Sequence, residues 1–197
     1  LSRAESVMWE HPDSALSILR SMPQSSLSIG KNYATWALLL AQARDKVYGK
    51  RLPDSLNIPS SDKLVQDAMD YFEKEGDLKR MAQTYYYKGQ LLKDQKKITE
   101  AMPFFLKSKE MMTKLDEPLF TYLICQSLGN MYRYQDLYEE SLVQLKDAYQ
   151  YALRSGNGER ISYALSELGR TYVHKNEMDS ALFYFGKSLD NAQRLGC

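Results

Sequence analysis

The sequence predicts an all-α fold: a right-handed α-solenoid of about five antiparallel helix pairs, ten helices in all. Three observations carry that prediction. Glycine recurs inside otherwise unbroken helical runs, in YKGQLL, SLGNMY and ELGRTY, so that Gly89, Gly129 and Gly169 stand 40 residues apart. Residues at fixed offsets from each glycine share a size class. Each block also divides into two apolar-periodic runs around a polar turn, DQKKITE, YQDLYEE or HKNEMDS. Helix–turn–helix units repeated at a period of roughly 20–50 residues mark a solenoid, in which each unit buries its apolar face against the next.

The glycines need a reason, because glycine inside a helix costs about 1 kcal/mol relative to alanine. A cost repeated at a fixed period must be offset by something that also repeats. Four residues before each glycine stand Tyr85, Cys125 and Leu165; three after it stand Leu92, Tyr132 and Tyr172. Twelve after it stand Ala101, Ser141 and Ala181; sixteen after it, Phe105, Leu145 and Phe185; nineteen after it, Ser108, Ala148 and Ser188. The expectation is a close helix–helix approach at each glycine, with the small residue twelve positions later forming the other side.

These residues resemble the tetratricopeptide repeat (TPR) family. Its pattern of a large residue, Leu-Gly, Tyr, then a small residue, an aromatic and another small residue is matched by LGNMY with Ser141, Leu145 and Ala148, and by LGRTY with Ala181, Phe185 and Ser188. The Gly89 copy fits with Lys88 in place of leucine. The family's usual 34-residue period and closing proline are absent here, so the resemblance implies longer helices, as in its forty-residue variants. It is strong over residues 77–195. The forty-residue repeats, with PDSAL near the start, look like the repeat segments of bacterial envelope-associated regulators.

The elements follow in order. PDSALSILRSM, residues 12–22, matches DSALFYF as the second helix of a pair, with a short helix over 2–10 as its partner. NYATWALLLAQARDKVY, residues 32–48, is a long apolar helix, paired with a helix over 62–76 across a Pro- and Ser-containing loop at 49–61. Three further pairs occupy 77–115, 117–155 and 157–196. Pro103, close to a helix start, predicts that this helix starts late or bends. The whole of 1–197 reads as one repeat domain. Gly156 introduces another unit, whereas Gly196 is followed only by Cys197, with no polar cap in view, so truncation at the C-terminus is expected.

Composition narrows the function. With 26 basic and 25 acidic residues the net charge is +1, which gives no electrostatic reason to expect direct nucleic-acid binding. The longest apolar run, WALLLA, is far too short to span a bilayer, and no membrane contact is expected within this segment. Two cysteines, Cys125 and Cys197, make no disulfide scaffold, and Cys125 reads as a small core residue.

Catalysis finds no foothold. His11 and His174 lie at opposite ends of the chain, no cluster has metal-ligand spacing, and no glycine-rich phosphate loop appears. GNGE, residues 156–159, reads as a turn, and Glu139 and Glu140 as solvated. The expectation is a non-enzymatic protein with no catalytic residue, no cofactor and no metal.

Binding has better support. In a right-handed helical solenoid the first helix of each pair lines the concave face. The resemblance implies that residues three before and one after each glycine point into that groove: Tyr86 and Gln90, Gln126 and Asn130, Ser166 and Arg170. One turn further on come Lys93, then Arg133 and Tyr134, then His174. This polar, aromatic and modestly basic set suits an extended peptide or a partner helix. Asn130 with Arg133 and Arg170 is the best cluster, of a kind that holds a carboxylate in related proteins. The bland alternative is an ordinary polar helix face with core tyrosines. Gly89, Gly129, Gly169, Ala101, Ser141 and Ala181 are the structural repeat positions.

The expected partner is therefore a protein or peptide. Two other readings stay open. One is the extracytoplasmic sensory domain of a larger membrane-linked bacterial regulator; a chain starting at Leu1 agrees with a removed leader and a periplasmic location in preference to the cytoplasm. The other is a self-assembly module forming a homodimer through the uncapped C-terminal helix pair.

Overall fold

The computed structural model describes residues 1–23, 27, 30–48 and 61–195; among these residues the chain forms ten helices and no strand. In order they are α1 (Ser2–Val7), α2 (Pro12–Ser21), α3 (Lys31–Tyr48), α4 (Ser61–Glu75), α5 (Leu78–Asp94), α6 (Ile98–Lys114), α7 (Pro118–Tyr134), α8 (Tyr138–Ser155), α9 (Gly158–His174) and α10 (Met178–Arg194). The ten expected helices are all present. Residues 49–60 of the expected loop, and Gly196 and Cys197, lie outside the described residues. The chain divides into two compact units, Leu1–Ser108 and Lys109–Cys197, taken here one at a time.

In the first unit α1 stops at Val7, short of the expected residue 10. Pro12 is the reason: it disfavours helical backbone at His11, which takes φ −133° and ψ 67°, and it then opens α2 as its first residue. α3 is the centre of this unit. Every residue from Ala34 to Arg44 is buried, and the helix packs against α2, α4 and α5. Such all-round burial explains why its sequence shows little one-sided amphipathicity. Two polar contacts orient it: Trp36 Nε1 donates to the Leu19 carbonyl at 2.9 Å, and Tyr33 donates to Asp67 at 2.8 Å.

α6 does not start late. It begins at Ile98 and carries Pro103 in its second turn. Proline there removes the amide that the Thr99 carbonyl would accept from. Both residues are exposed, so water can serve that carbonyl in its place.

In the second unit α7, α8, α9 and α10 pack in sequence, each on the next. One core cluster joins Tyr122, Cys125, Ala148, Ala152 and Ala164; another joins Leu142, Leu145 and Leu168. Burial pushes the Cys125 thiol up to about 11, so it is a core residue and not a ready nucleophile.

The close approach at the repeat glycines is present, but its other side differs from the expectation. A Cβ on Gly129 would lie 2.6 Å from Leu145 Cγ, and one on Gly169 would lie 2.7 Å from Phe185 Cε1. At Gly89 the nearest atom is Phe105 Cε2, at 3.0 Å. The facing residue is thus the large one sixteen positions on. Ala101, Ser141 and Ala181 are buried, and the Ser141 carbonyl would lie 3.3 Å from a Cβ on Gly129. Glycine here makes room for a large side chain from the next helix.

The turns repeat at half the glycine period. Left-handed backbone occurs at Gly76, Lys96, Asp116, Asp136, Gly156 and Asn176, one turn every 20 residues. Around Lys96, Asp116, Asp136 and Asn176 the amide of the following residue bonds the carbonyl five positions before that turn residue's own successor, as in Lys97 N to Leu92 O at 2.9 Å. These bonds close the ends of α5, α6, α7 and α9. Asp77 and Asn157 then cap α5 and α9, accepting from the amides of Arg80 and Arg160.

Candidate functional site

The first-unit candidates lie on α5 and are turned to internal work. Tyr86 is only 4% exposed; its ring meets Phe105 edge-on, with centroids 5.8 Å apart. Gln90 Nε2 donates to the Tyr86 hydroxyl at 2.8 Å. Lys93 is half-buried near the Asp45 carboxyl, which burial raises and Lys93 partly offsets. The space lined by Asp45, Ser61, Tyr87 and Gln90 is about 20 Å³, room for about one water.

The second-unit candidates lie on α7 and α9. Gln126 lies beside the Tyr163 hydroxyl, and Ser166 Oγ lies 2.9 Å from Ser188 Oγ. Both residues are half-buried. Asn130 Oδ1 is shielded from solvent and has no hydrogen-bond partner among the described residues. Arg133, Tyr134, Arg170 and His174 come together, joined by Val173 and Phe185, around an open cleft of about 450 Å³.

Inside this cleft the four candidates differ sharply. Arg133 is 7% exposed, whereas Tyr134 is 79% exposed. His174 is also exposed and stacks on the Tyr138 ring, with centroids 6.1 Å apart. Arg133 and Arg170 converge on one carboxylate, that of Glu167. Arg133 Nη2 lies 2.8 Å from Glu167 Oε2, an ion pair outside the geometry of a hydrogen bond, and Arg170 Nη1 donates to Glu167 Oε1 at 2.8 Å. Arg133 Nη1 has longer contacts, 3.4 Å each, to the Glu167 carbonyl and Thr171 Oγ1. The Glu167 side chain is 1% exposed, while that of Arg170 is 59% exposed. One buried anion thus holds one buried cation and one that reaches solvent, leaving a net positive charge.

Sequence reasoning missed Glu167. Its signal was available: the residues two before the three repeat glycines are Tyr87, Ser127 and Glu167, and all three are buried. A carboxylate at a buried register position needs cationic partners. Among the described residues, no three His, Cys, Asp or Glu side chains converge as metal ligands would.

No protein-family model matches this chain, and no curated protein does. Solved structures do. The apo form of RapI matches at 17% identity over 98% of this chain and 69% of its own length, with a TM-score of 0.76. A Rap protein complexed with competence and sporulation factor matches at 14% identity over 97% of this chain and 52% of its own, with a TM-score of 0.77. A Signal Transduction ATPase with Numerous Domains from Pyrococcus horikoshii, which carries a tetratricopeptide repeat sensor, matches at 17% identity over 97% of this chain and 28% of its own, with a TM-score of 0.73. At these identities the likeness speaks for the fold. Together with the forty-residue glycine period and the helix pairs, it identifies this chain as an all-α, TPR-like helical-repeat protein of the solenoid class.

Proposed function

We propose that this chain is a non-enzymatic scaffold that binds a protein or peptide through the groove-facing residues of α7 and α9. The observation that carries the proposal is the convergence of Arg133, Tyr134, Arg170 and His174 on one open cleft. Its size is in the range of side-chain and small-ligand sites, roughly 300–1,000 Å³. Exposed tyrosine and arginine are the residue types most enriched where binding energy concentrates. A structural neighbour crystallised with competence and sporulation factor shows that a chain with this fold can hold a partner, and supports the reading to that extent.

The test is selection from a display library of random short peptides, followed by titration of the recovered peptides against wild type and against Tyr134→Ala with Arg170→Ala. Both side chains are exposed, so the variant is expected to fold. Recovered peptides should bind it at least about tenfold more weakly, the equivalent of about 1.4 kcal/mol. Unchanged affinity would move the site away from this cleft.

A second reading rests on α10. Leu182 is 69% exposed, and Phe183 and Leu189 are also exposed, whereas Leu142, forty residues earlier, is buried against Leu168. Such a face favours self-assembly. Sedimentation at two concentrations checks it, and a strict monomer at both would count against it.

A further inference from the structure

Gly186 stands at the midpoint of α10. Glycine there carries the same helix-propensity cost as at Gly89, Gly129 and Gly169. At those three the cost is offset, because a large side chain from the next helix presses on the glycine. At Gly186 a Cβ would meet nothing within 4 Å. The helix turns this glycine away from α9. Its buried residues, Ala181 and Ser188, lie on the opposite side, and Leu182, Gly186 and Leu189 form one stripe at intervals of four and three. Leu182 is 69% and Leu189 59% exposed. Phe183, on the flank, is already met by Lys187, whose Nζ lies 4.3 Å from the ring centre.

This stripe is not what a following helix pair requires. In α8, Leu142 holds the position of Leu182 and is buried against Leu168 of α9. Lys146 holds the position of Gly186 and stays exposed. A following pair thus seats without glycine at that place. Glycine at the centre of the stripe fits a closer approach than α8 receives. An approach centred on the helix midpoint is what a two-fold axis produces.

Charge points the same way. Asp179 stands in the first turn of α10 and Arg194 in the last. Both are exposed, and neither is in an ion pair among the described residues. When two copies of α10 lie antiparallel with their glycines level, Leu182 of each comes beside Leu189 of the other, and Asp179 of each beside Arg194 of the other. A parallel pair would instead set Asp179 against Asp179.

We propose that a second copy of this chain covers this face, the two α10 helices packed antiparallel and crossing at Gly186. This rests on the self-assembly reading given above and adds its geometry. The contact is isologous: the leucines supply apolar area, the glycines permit the close crossing, and the Asp179–Arg194 pairs set the direction.

The experiment is sedimentation equilibrium of the full chain at low ionic strength. Concentrations should reach about 1 mM, because a contact made by one helix face belongs to the small, weak class. Wild type should pass from monomer to dimer with no larger species, since the contact closes on itself. Asp179→Arg and Arg194→Asp, each alone, set like charges together at both ends of the contact and should each weaken dimerisation about tenfold. Mixed in equal amounts, the two variants should regain the wild-type affinity to within about threefold, because each brings the charge that the other lacks. Gly186→Gln fills open space and favours the helix. It should raise the melting temperature of the dilute, monomeric protein while weakening the dimer at least about tenfold.

A wild type that stays monomeric throughout removes both this inference and the self-assembly reading. A dimer that tolerates Gly186→Gln keeps self-assembly and overturns the crossing at Gly186. So does a dimer in which the charge-reversed variants do no harm or fail to rescue each other, which overturns the antiparallel direction.

Discussion

In the first unit, the register positions around Gly89 hold Tyr86, Gln90 and Lys93. In the second, the positions one, four and five after Gly129 and Gly169 include Asn130, Arg133, Tyr134, Arg170 and His174. The first set closes on itself: Tyr86 packs on Phe105, Gln90 bonds Tyr86, and the neighbouring space has room for about one water. The second set opens onto a cleft of about 450 Å³ and places a buried ion pair at its floor. The aromatic side chain of Tyr86, three before Gly89, joins the core. A charged one must find a counter-ion or reach water, and either outcome keeps the surface polar. Repeat geometry thus supplies equivalent positions, and residue type decides which of them become a site.

The largest test of this contrast is Glu167→Ala. It leaves Arg133 buried without its counter-ion, and the expected loss is about 3–5 kcal/mol by urea denaturation. Tyr87→Ala at the equivalent first-unit position removes a packed ring, a loss of about 3–5 kcal/mol. Replacing the pair together, Arg133→Met with Glu167→Leu, separates the two cases: most of the loss should return, because an apolar pair of similar volume needs no counter-charge. If the double variant is as unstable as Glu167→Ala, charge is not what this position depends on.

Alanine at the repeat glycines comes next. Gly129→Ala and Gly169→Ala place a methyl group 2.6 and 2.7 Å from Leu145 and Phe185, and should each destabilise by about 1–3 kcal/mol. At Gly89 the Phe105 ring stands at 3.0 Å and need give way by only a few tenths of an ångström. There the helix-propensity gain of about 1 kcal/mol should offset most of the strain. Thermal melting of the three variants should show two clear losses and one near-neutral change; equal losses would refute the graded contact.

The turns predict a smaller effect of opposite sign. Lys96 is the one lysine among left-handed turn residues that are otherwise Gly, Asp or Asn. Lys96→Gly should stabilise by about 0.5–1 kcal/mol, and Asn176→Lys should destabilise by less than that. Melting midpoints that move the other way would mean that side-chain contacts, and not backbone strain, govern these turns.

A pH dependence is expected at the position four before the glycine. Burial, together with the hydrogen bond to Glu73 at 2.7 Å, pushes the Tyr85 hydroxyl up to about 12. The unfolded chain loses this proton near the ordinary tyrosine value of about 10. The folded state therefore binds more protons between about pH 10 and 12, and stability must fall as pH rises through that window. Tyr85→Phe should be flatter in urea midpoint across that range than wild type.

Much of this was legible in the sequence because it depends on period. The forty-residue spacing, the ten helices and the need for a close approach at each glycine follow from residues at fixed offsets. Which residue fills that approach did not follow. Ala101, Ser141 and Ala181 match in size, but the side chain over the glycine is set by how neighbouring helices cross, and that selects Phe105, Leu145 and Phe185. The groove positions were legible as a register and only partly as a surface. Tyr86 and Arg133 occupy predicted positions and are both buried, because packing from neighbouring helices covers some of that face. Glu167 escaped notice because no rule based on exposed positions looks for a charge inside. The twenty-residue turn period could have been read directly, since five of its six residues are Gly, Asp or Asn.

That turn period bears on how such a chain can grow and change over generations. The ends of α5, α6, α7 and α9 are closed by hydrogen bonds that reach no further than their own turns. A duplication that copies one glycine-to-glycine segment therefore inserts a pair with both turns intact. A slip of one or two residues within a helix has no such shelter, because it rotates every later side chain on that helix away from its neighbour. The lineage of this protein should accordingly record gains and losses in whole pairs, with point changes gathered on the residues that make up the cleft.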